Sequence, residues 1–218
     1  MLFCRLGKPP MTMRKHPPVR GRAGFDQAFY RRFYLQAGTR VHEAGGLARQ
    51  SRFLFAYLDY LGIKVKRVLD LGCGLGHWRK LLSRHHPRAA YVGVETSEYL
   101  CRRHGWTLAG VAGFRESGRR AAGFDLVICQ SVFQYLGDAE VKAGLANVAR
   151  HCRGAAYLEI VTRLDWERHC NRNSTDGRIH LRSGAWYRRQ IGRYFRPIGG
   201  GLFLPRHSPA VLYELEGP

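Results

Sequence analysis

The sequence lacks the features that would place a chain in a membrane or on a secretory route. No apolar run approaches the roughly 18–20 residues that a membrane-spanning helix needs. The first 24 residues contain basic residues and prolines, but neither the apolar core nor the small-residue cleavage site of a secretory signal. We therefore expect a cytoplasmic protein with a disordered basic tail over residues 1–24.

The cysteines also lack the spacing of a metal site. Six are scattered along the chain, with no Cys-x-x-Cys pair and no zinc-like pattern among them. We expect reduced thiols, several of them inside core elements, and no metal. The six are Cys4, Cys73, Cys101, Cys129, Cys152 and Cys170.

Acidic residues are scarce: 16 Asp and Glu stand against 36 Lys and Arg, for a formal net charge of +20. The field of such a charge can steer a protein to nucleic acid. However, only six of the basic residues are lysines, and the arginines are spread along the chain without a basic block or RGG-type repeat. The charge leaves a nucleic-acid partner open without favouring one, and the oligomeric state is also left open.

Short apolar runs alternate with amphipathic stretches along most of the chain. This alternation predicts an α/β fold, a right-handed, doubly wound parallel sheet. The predicted helices cover 25–38, 45–62, 76–86, 97–105, 138–152 and 183–195, and the predicted strands 66–71, 89–95, 108–112, 124–130 and 155–162.

The C-terminal part departs from this alternation. Two further strands, near 198–204 and 209–216, are joined by a Pro/His/Ser turn that is too short for a crossover helix, so we expect them to pair antiparallel. The prediction is a seven-stranded, mostly parallel sheet with an antiparallel strand near its C-terminal edge. We expect one domain over 25–218, with N-terminal helices over 25–62 and the sheet core over 63–218.

Three glycines follow the first predicted strand, in the run Asp70–Gly76. A phosphate-binding P-loop is excluded, because no Lys-Ser or Lys-Thr follows them. The dinucleotide pattern Gly-x-Gly-x-x-Gly, counted from Gly72, would require a third glycine where His77 stands. The pattern that fits without a mismatch is Asp-x-Gly-x-Gly-x-Gly.

This run resembles motif I of the class I S-adenosylmethionine-dependent methyltransferases, whose core is Rossmann-like. Glu95 corresponds to the acidic residue at the end of their second strand, and the run over 124–128 corresponds to their fourth strand. The predicted reversed strand matches their seventh strand. The resemblance covers roughly residues 64–216 of the chain.

The resemblance implies that the chain binds S-adenosylmethionine and transfers its methyl group. Asp70 would take the amino group, Glu95 would hold the ribose hydroxyls, and the glycine loop would line the methionine part. No carboxylate follows the third predicted strand to read the adenine amine, so we expect backbone and Phe114 to contact the adenine. The predicted cofactor contacts are Asp70, Gly72, Cys73, Gly74, Glu95, Thr96, Phe114 and Gln130.

The methyl acceptor is poorly marked. The stretch over 129–133 carries none of the motifs typical of nucleobase amino-group, cytosine-C5 or ribose 2′-O methyltransferases. The segment over 162–189 is long for a loop and follows the carboxyl end of a strand, where open α/β sheets bind ligands. We expect this segment to line the acceptor pocket, with His169, His180 or Glu159 as candidate bases.

Three hypotheses remain open. The first is a methyltransferase for a small-molecule acceptor, favoured because no recognition domain is appended to the predicted core. The second is an RNA- or protein-modifying methyltransferase, motivated by the net charge of +20. The third is a non-catalytic protein that binds S-adenosylmethionine.

Overall fold

The computed structural model describes residues 17–41, 45–116 and 123–212. Within these ranges the strands are β1 (Arg67–Leu71), β2 (Ala90–Glu95), β3 (Thr107–Leu108), β4 (Phe124–Gln130), β5 (Cys152–Glu159), β6 (Phe195–Gly199) and β7 (Leu202–Pro205). They form one seven-stranded sheet in the order β3-β2-β1-β4-β5-β7-β6. Only β7 runs antiparallel to its two neighbours in this part of the chain. The predicted fold class is confirmed.

The helices lie between these strands and before them. They are α1 (Gln27–Tyr30), α2 (Gly46–Tyr60), α3 (His77–His85), α4 (Glu98–His104), α5 (Asp138–His151), α6 (Arg163–Arg168) and α7 (Gly184–Ile191). Sequence signals explain several of their ends. The Ser97 hydroxyl caps α4 by accepting from the Leu100 N–H, and Gly105, with φ of +71°, ends it.

Each strand sends alternate side chains to opposite faces of the sheet, and a separate apolar cluster covers each face. On β4, Val127 packs with α5 and α7, whereas Leu126 and Ile128 pack with α2 and α3. The central strands are therefore buried on both sides, as a parallel sheet requires. This packing fixes the carboxyl ends of β1, β2, β4 and β5 along one edge.

The C-terminal strands differ from their predicted boundaries. The reversal occurs at Gly200 and Gly201, so that the predicted strand over 198–204 is in fact split between β6 and β7. Gly199, Gly200 and Gly201 all have positive φ, which side-chain-bearing residues rarely adopt, and this makes the three-glycine run the turn. Residues 209–212 form no strand, and the rest of the second predicted strand lies outside the described residues.

The N-terminal segment also differs from the prediction. Instead of one helix over 25–38, α1 is followed by a π-helical turn, Arg31–Leu35. Of the predicted disordered tail, residues 1–16 lie outside the described part of the chain. Residues 17–24 make defined contacts: the Arg20 side chain pairs with Asp176 at 2.6 Å.

Three other boundaries are shorter or shifted. The strand predicted over 108–112 is the two-residue β3, and the one predicted over 155–162 begins and ends three residues earlier, as β5. The helix predicted over 183–195 ends at Ile191, since Phe195 already begins β6. No helix in the described ranges has the length and hydropathy that crossing a bilayer demands.

Candidate active site

The glycine loop between β1 and α3 has a backbone that only glycine adopts readily. Gly72, Gly74 and Gly76 have φ of +80°, +52° and +72°. A Cβ at Gly72 would overlap Cγ2 of Val132, and one at Gly76 would lie 2.7 Å from the Trp106 ring. At Gly74 the nearest such neighbour is the Tyr30 ring, at 3.8 Å. The loop is thus closely packed at both ends, and at its middle glycine an added Cβ would only make an ordinary van der Waals contact with the Tyr30 ring.

Glu95 ends β2 with its carboxylate turned towards this loop. Its Oε2 accepts from the Gly74 N–H at 2.9 Å, and its Oε1 accepts from the N–H groups of Thr96 and Ser97 at 2.8 and 2.9 Å. Only 3% of the residue is exposed. Backbone donors therefore fix a buried carboxylate beside the middle glycine of the loop.

Asp70 lies at the end of β1, below the loop, and is 1% exposed. The Tyr91 hydroxyl donates to its Oδ2 at 2.5 Å. Burial raises the pKa of Asp70 to about 7, the Tyr91 hydrogen bond opposes this rise, and the charge of Glu95 adds to it. The carboxyl group therefore changes its ionisation close to neutral pH.

Aromatic side chains of the N-terminal segment cover the loop. Tyr30 is 4% exposed and packs with Phe29 and Phe33 in a cluster that also contains Leu100 of α4. Burial and the carboxylate of Glu95, to which its hydroxyl hydrogen-bonds, raise the pKa of Tyr30. A tyrosine hydroxyl of this cover thus already contacts the group predicted to hold the ribose.

Tyr34 belongs to the same aromatic cover of the N-terminal segment as Phe29, Tyr30 and Phe33, and it lies nearer to the other carboxylates of the site. Burial raises the pKa of its hydroxyl, and the charges of Glu95, Asp176 and Glu159 raise it further. The hydroxyl therefore lies within the electrostatic reach of three carboxylates that come from β2, from the segment after α6 and from β5. The three carboxylates are far apart in the sequence, so local sequence patterns do not predict that they lie near one hydroxyl.

A buried hydrogen-bond network joins the carboxyl ends of β4 and β5. Gln130 accepts from the Trp78 indole at 2.7 Å and donates to the Gln50 side chain at 3.3 Å. Gln50 donates to Glu159 at 2.8 Å, and the Tyr157 hydroxyl donates to the same oxygen at 2.7 Å. Gln130 therefore serves this network, and its predicted contact with the cofactor stays a prediction.

Glu159 is the end of this network. Its Oε2 receives both donors, whereas its Oε1 is buried without a hydrogen-bond partner in the described part of the chain. A buried acceptor without a partner costs free energy unless a ligand supplies a donor. Of the candidate bases, Glu159 is the one with an unused acceptor in a buried setting.

The two candidate histidines have different surroundings. His169 is exposed at the end of α6. His180 is half-buried, and its backbone N–H donates to the Gln134 backbone carbonyl at 2.7 Å. Burial lowers the pKa of His180, Arg182 lowers it further, and Asp138 and Glu140 oppose these effects. A base role for either stays a prediction.

The remaining predicted contacts are placed as follows. Cys73 is a buried thiol in the glycine loop, and burial raises its pKa. The Thr96 carbonyl accepts from the Arg22 guanidinium at 3.3 Å. Phe114 is 4% exposed, its ring centroid is 5.1 Å from that of His151, and it packs in the α5 side of the core. Its predicted contact with adenine stays a prediction.

Sequence reasoning missed the pair formed by Arg20 and Asp176. Arg20 belongs to the predicted disordered tail and Asp176 to the predicted acceptor segment, yet the Arg20 and Asp176 side chains are only 14% and 6% exposed. Asp176 also accepts a hydrogen bond from the Tyr135 hydroxyl, which lies next to the Phe25 ring. The pair ties the N-terminal cover to the segment after α6, and no local pattern in the sequence marks it.

The strand order, the glycine loop and the buried acid after β2 together define the fold as that of the class I methyltransferases. Residues 69–158 match the family described as "Methyltransferase domain". This match and the strand order confirm the predicted resemblance to the class I methyltransferases.

Two curated relatives each match less than half of the chain. A malonyl-[acyl-carrier protein] O-methyltransferase of Legionella pneumophila is 34% identical over 89 residues, which are 38% of this chain and 31% of that protein. A trans-aconitate 2-methyltransferase of Azoarcus is 34% identical over 96 residues, 43% of this chain and 37% of that protein. The matched part is thus about a third of each relative's length.

Solved structures share the fold over a larger part of the chain. The PH0226 protein of Pyrococcus horikoshii has a TM-score of 0.56 and 16% identity, over 83% of this chain and 100% of that one. The plantazolicin methyltransferase BpumL, in complex with a pentazolic desmethylPZN analogue and SAH, has a TM-score of 0.55 and 14% identity, over 67% of this chain and 62% of that one. At these identities the likeness is one of fold.

The residues present fit S-adenosylmethionine better than a phosphate-bearing cofactor. A carboxylate at Glu95 and one at Asp70 are suited to hydroxyl and ammonium groups, and both would repel a phosphate. The left-handed backbone at Gly74 leaves the middle of the loop without a side chain, where a ligand can approach the peptide groups. Glu95 and Asp70 are the residues that would hold the cofactor.

Proposed function

We propose that the chain catalyses methyl transfer from S-adenosylmethionine to a small-molecule acceptor. The observation that carries the proposal is the buried Glu95 carboxylate, which accepts from the Gly74 N–H at 2.9 Å. Gly74 is the middle glycine of a loop whose positive φ angles let a ligand approach the backbone. When bound, S-adenosylmethionine supplies a methyl group already activated by its sulfonium. The chain then has to position the acceptor and exclude water.

The cover formed by the N-terminal segment supports this role. Tyr30 and Tyr34 lie over the glycine loop, and the Arg20–Asp176 pair fastens the same segment to the loop region after α6. We place the acceptor between this cover and the carboxyl ends of β4 and β5, next to the unpartnered Oε1 of Glu159. Such an enclosed position suits a small acceptor better than a folded macromolecule.

One of the matched relatives supports a small acceptor as well. The names of the two curated relatives describe methylation of a malonyl group on acyl-carrier protein and of trans-aconitate. We propose a small-molecule acceptor by analogy with the trans-aconitate enzyme, and a cytoplasmic location in keeping with the buried thiols of Cys73 and Cys129.

Glu159 is the residue that we propose to orient the acceptor or to take its proton. Its unpartnered Oε1 is available to a donor on the acceptor, and Gln50 and Tyr157 hold the other oxygen in place. Glu159→Gln should lower the rate of methyl transfer without changing affinity for the demethylated product, S-adenosylhomocysteine. Glu167→Gln, on the exposed face of α6, is the matched control.

Binding and transfer are tested separately. Isothermal titration with S-adenosylhomocysteine should show binding that Glu95→Gln weakens at least tenfold and that Glu98→Gln, at an exposed site on α4, leaves unchanged. An unaltered affinity in the Glu95 variant contradicts the assigned site.

Methyl-labelled S-adenosylmethionine is then incubated with the protein and with separate small-molecule, RNA and protein fractions of a cell lysate. Label in the small-molecule fraction supports the proposal. RNase-sensitive label that disappears at high salt would instead favour RNA modification, as the net charge suggested. Binding without label in any fraction would favour a non-catalytic binding protein.

A further inference from the structure

The environment of Asp70 contains one hydroxyl that the general fold does not require. Asp70 on β1 is paired in register with Gly93 on β2, and Tyr91 lies two residues before Gly93, on the same face of that strand. From there its hydroxyl reaches Oδ2 of Asp70 at 2.5 Å. The Tyr91 ring lies beside the Trp106 ring, with centroids 5.9 Å apart, so packing holds the hydroxyl in place.

The hydrogen bond matters because of where Asp70 is buried. Transfer of a carboxylate from water into a protein interior favours its neutral form. Burial raises the pKa of Asp70 to about 7, the charge of Glu95 acts in the same direction, and the Tyr91 hydroxyl acts against both. Without that hydroxyl, a larger share of Asp70 would be protonated at neutral pH.

We infer that Tyr91 is a positioning residue that keeps the Asp70 carboxylate oriented and ionised to receive the ammonium group of the methyl donor. The inference rests on the proposed binding of S-adenosylmethionine. Only an ionised carboxylate attracts an ammonium group strongly, and a protonated one presents a hydroxyl that cannot accept on both oxygens. Tyr91 therefore contributes to donor affinity without contacting the donor.

Other titratable groups lie near Asp70 and Tyr91 and also affect their pKa values. Tyr91→Phe alters none of these groups chemically. The groups are the Glu95 carboxylate, the buried thiols of Cys73 and Cys129, and the Arg79 guanidinium near Tyr91.

The test is isothermal titration of wild type and Tyr91→Phe with S-adenosylhomocysteine across neutral pH. The variant keeps the ring and loses only the hydroxyl. A hydrogen bond to a charged group is strong enough to move a pKa by about one unit. We expect the pH at which affinity falls to rise by about one unit, and affinity at pH 7.5 to fall about threefold or more.

A second ligand separates positioning from a structural effect. 5′-Methylthioadenosine has the nucleoside and the sulfur of the donor but no ammonium or carboxylate, so its affinity should be the same in wild type and Tyr91→Phe. Tyr60→Phe, at a side chain that is 70% exposed, is the matched control and should bind both ligands as wild type does.

Two results would overturn the inference: an unchanged pH profile for S-adenosylhomocysteine, or equal losses for both ligands. Either leaves the proposed function intact, because wild-type binding is measured in the same series. If wild type bound neither ligand, the proposed function would fail and this inference would fail with it.

Discussion

Replacement of Gly72 by alanine should destabilise the glycine loop through two separable effects. The residue has φ of +80°, which costs a side-chain-bearing residue about 1–2 kcal/mol. The new Cβ would also overlap Cγ2 of Val132, and overpacking of this kind costs about 1–3 kcal/mol. We therefore expect a loss of about 2–5 kcal/mol in the free energy of unfolding, measured by urea denaturation followed by circular dichroism.

A double-mutant cycle separates the two effects. Val132→Ala removes the methyl group that the new Cβ meets, so it should restore about 1–3 kcal/mol in the Gly72→Ala background, and the backbone strain should remain. Gly74→Ala is the matched control, because its φ is +52° but its nearest such neighbour, the Tyr30 ring, is 3.8 Å away. That variant should show strain without coupling to Val132.

The reasoning is refuted by a coupling energy within about 0.5 kcal/mol of zero, since additivity at that level is typical of sites that do not touch. A wild-type free energy of unfolding for Gly72→Ala would refute both the strain and the overlap. S-adenosylhomocysteine affinity, measured on the same variants, tests whether the distorted loop also loses its ligand.

Three further predictions concern charges of the site. Asp70→Asn should raise the free energy of unfolding by up to about 4 kcal/mol above pH 7 and by almost nothing at pH 4. Burial raises the folded-state pKa of Asp70 from 3.8 to about 7, and a raised carboxyl pKa costs stability as pH rises between these two values. A pH-independent effect in urea denaturation would contradict this prediction. Asp176→Asn should leave Arg20 without its charge partner and lower the free energy of unfolding by about 2–4 kcal/mol. Limited proteolysis before residue 36 should become faster. Unchanged cleavage would show that the ion pair does not hold the N-terminal segment in place. Tyr30→Phe should tighten S-adenosylhomocysteine binding about three- to tenfold, because the hydroxyl no longer competes with the ligand for Glu95. Calorimetry measures the affinity. Weaker binding would mean that the Tyr30 hydroxyl contacts the ligand instead.

Local signals predicted the central part of the fold well. The run from β1 through the glycine loop to β2 combines an apolar strand, glycines and an acid at fixed spacing, and each of these has a local physical cause. The alternation of strands and helices predicted the layered sheet. Glu95 and the glycine loop could therefore be brought together from sequence alone, whereas their exact partners could not.

Competing local signals explain the wrong C-terminal turn. Pro205, with His207 and Ser208, has the composition of a turn, but the glycines over 199–201 reverse the chain first because all three adopt positive φ. Long-range contacts explain what was missed. Arg20 and Asp176 are 156 residues apart in the chain, and no period or spacing predicts their ion pair. Gln50 reaches Glu159 from a helix that sequence patterns describe only as amphipathic.

The contact between Tyr30 and Glu95 has a consequence for the rate of turnover. The carboxylate already accepts from three backbone N–H groups, and the Tyr30 hydroxyl lies beside it. We predict that a bound ribose displaces the Tyr30 hydroxyl from Glu95, so that the N-terminal segment moves aside on binding and again on release of S-adenosylhomocysteine. The observed association rate should then level off at high ligand concentration, at the opening rate of α1, and that rate sets a ceiling on how often the site can be reloaded.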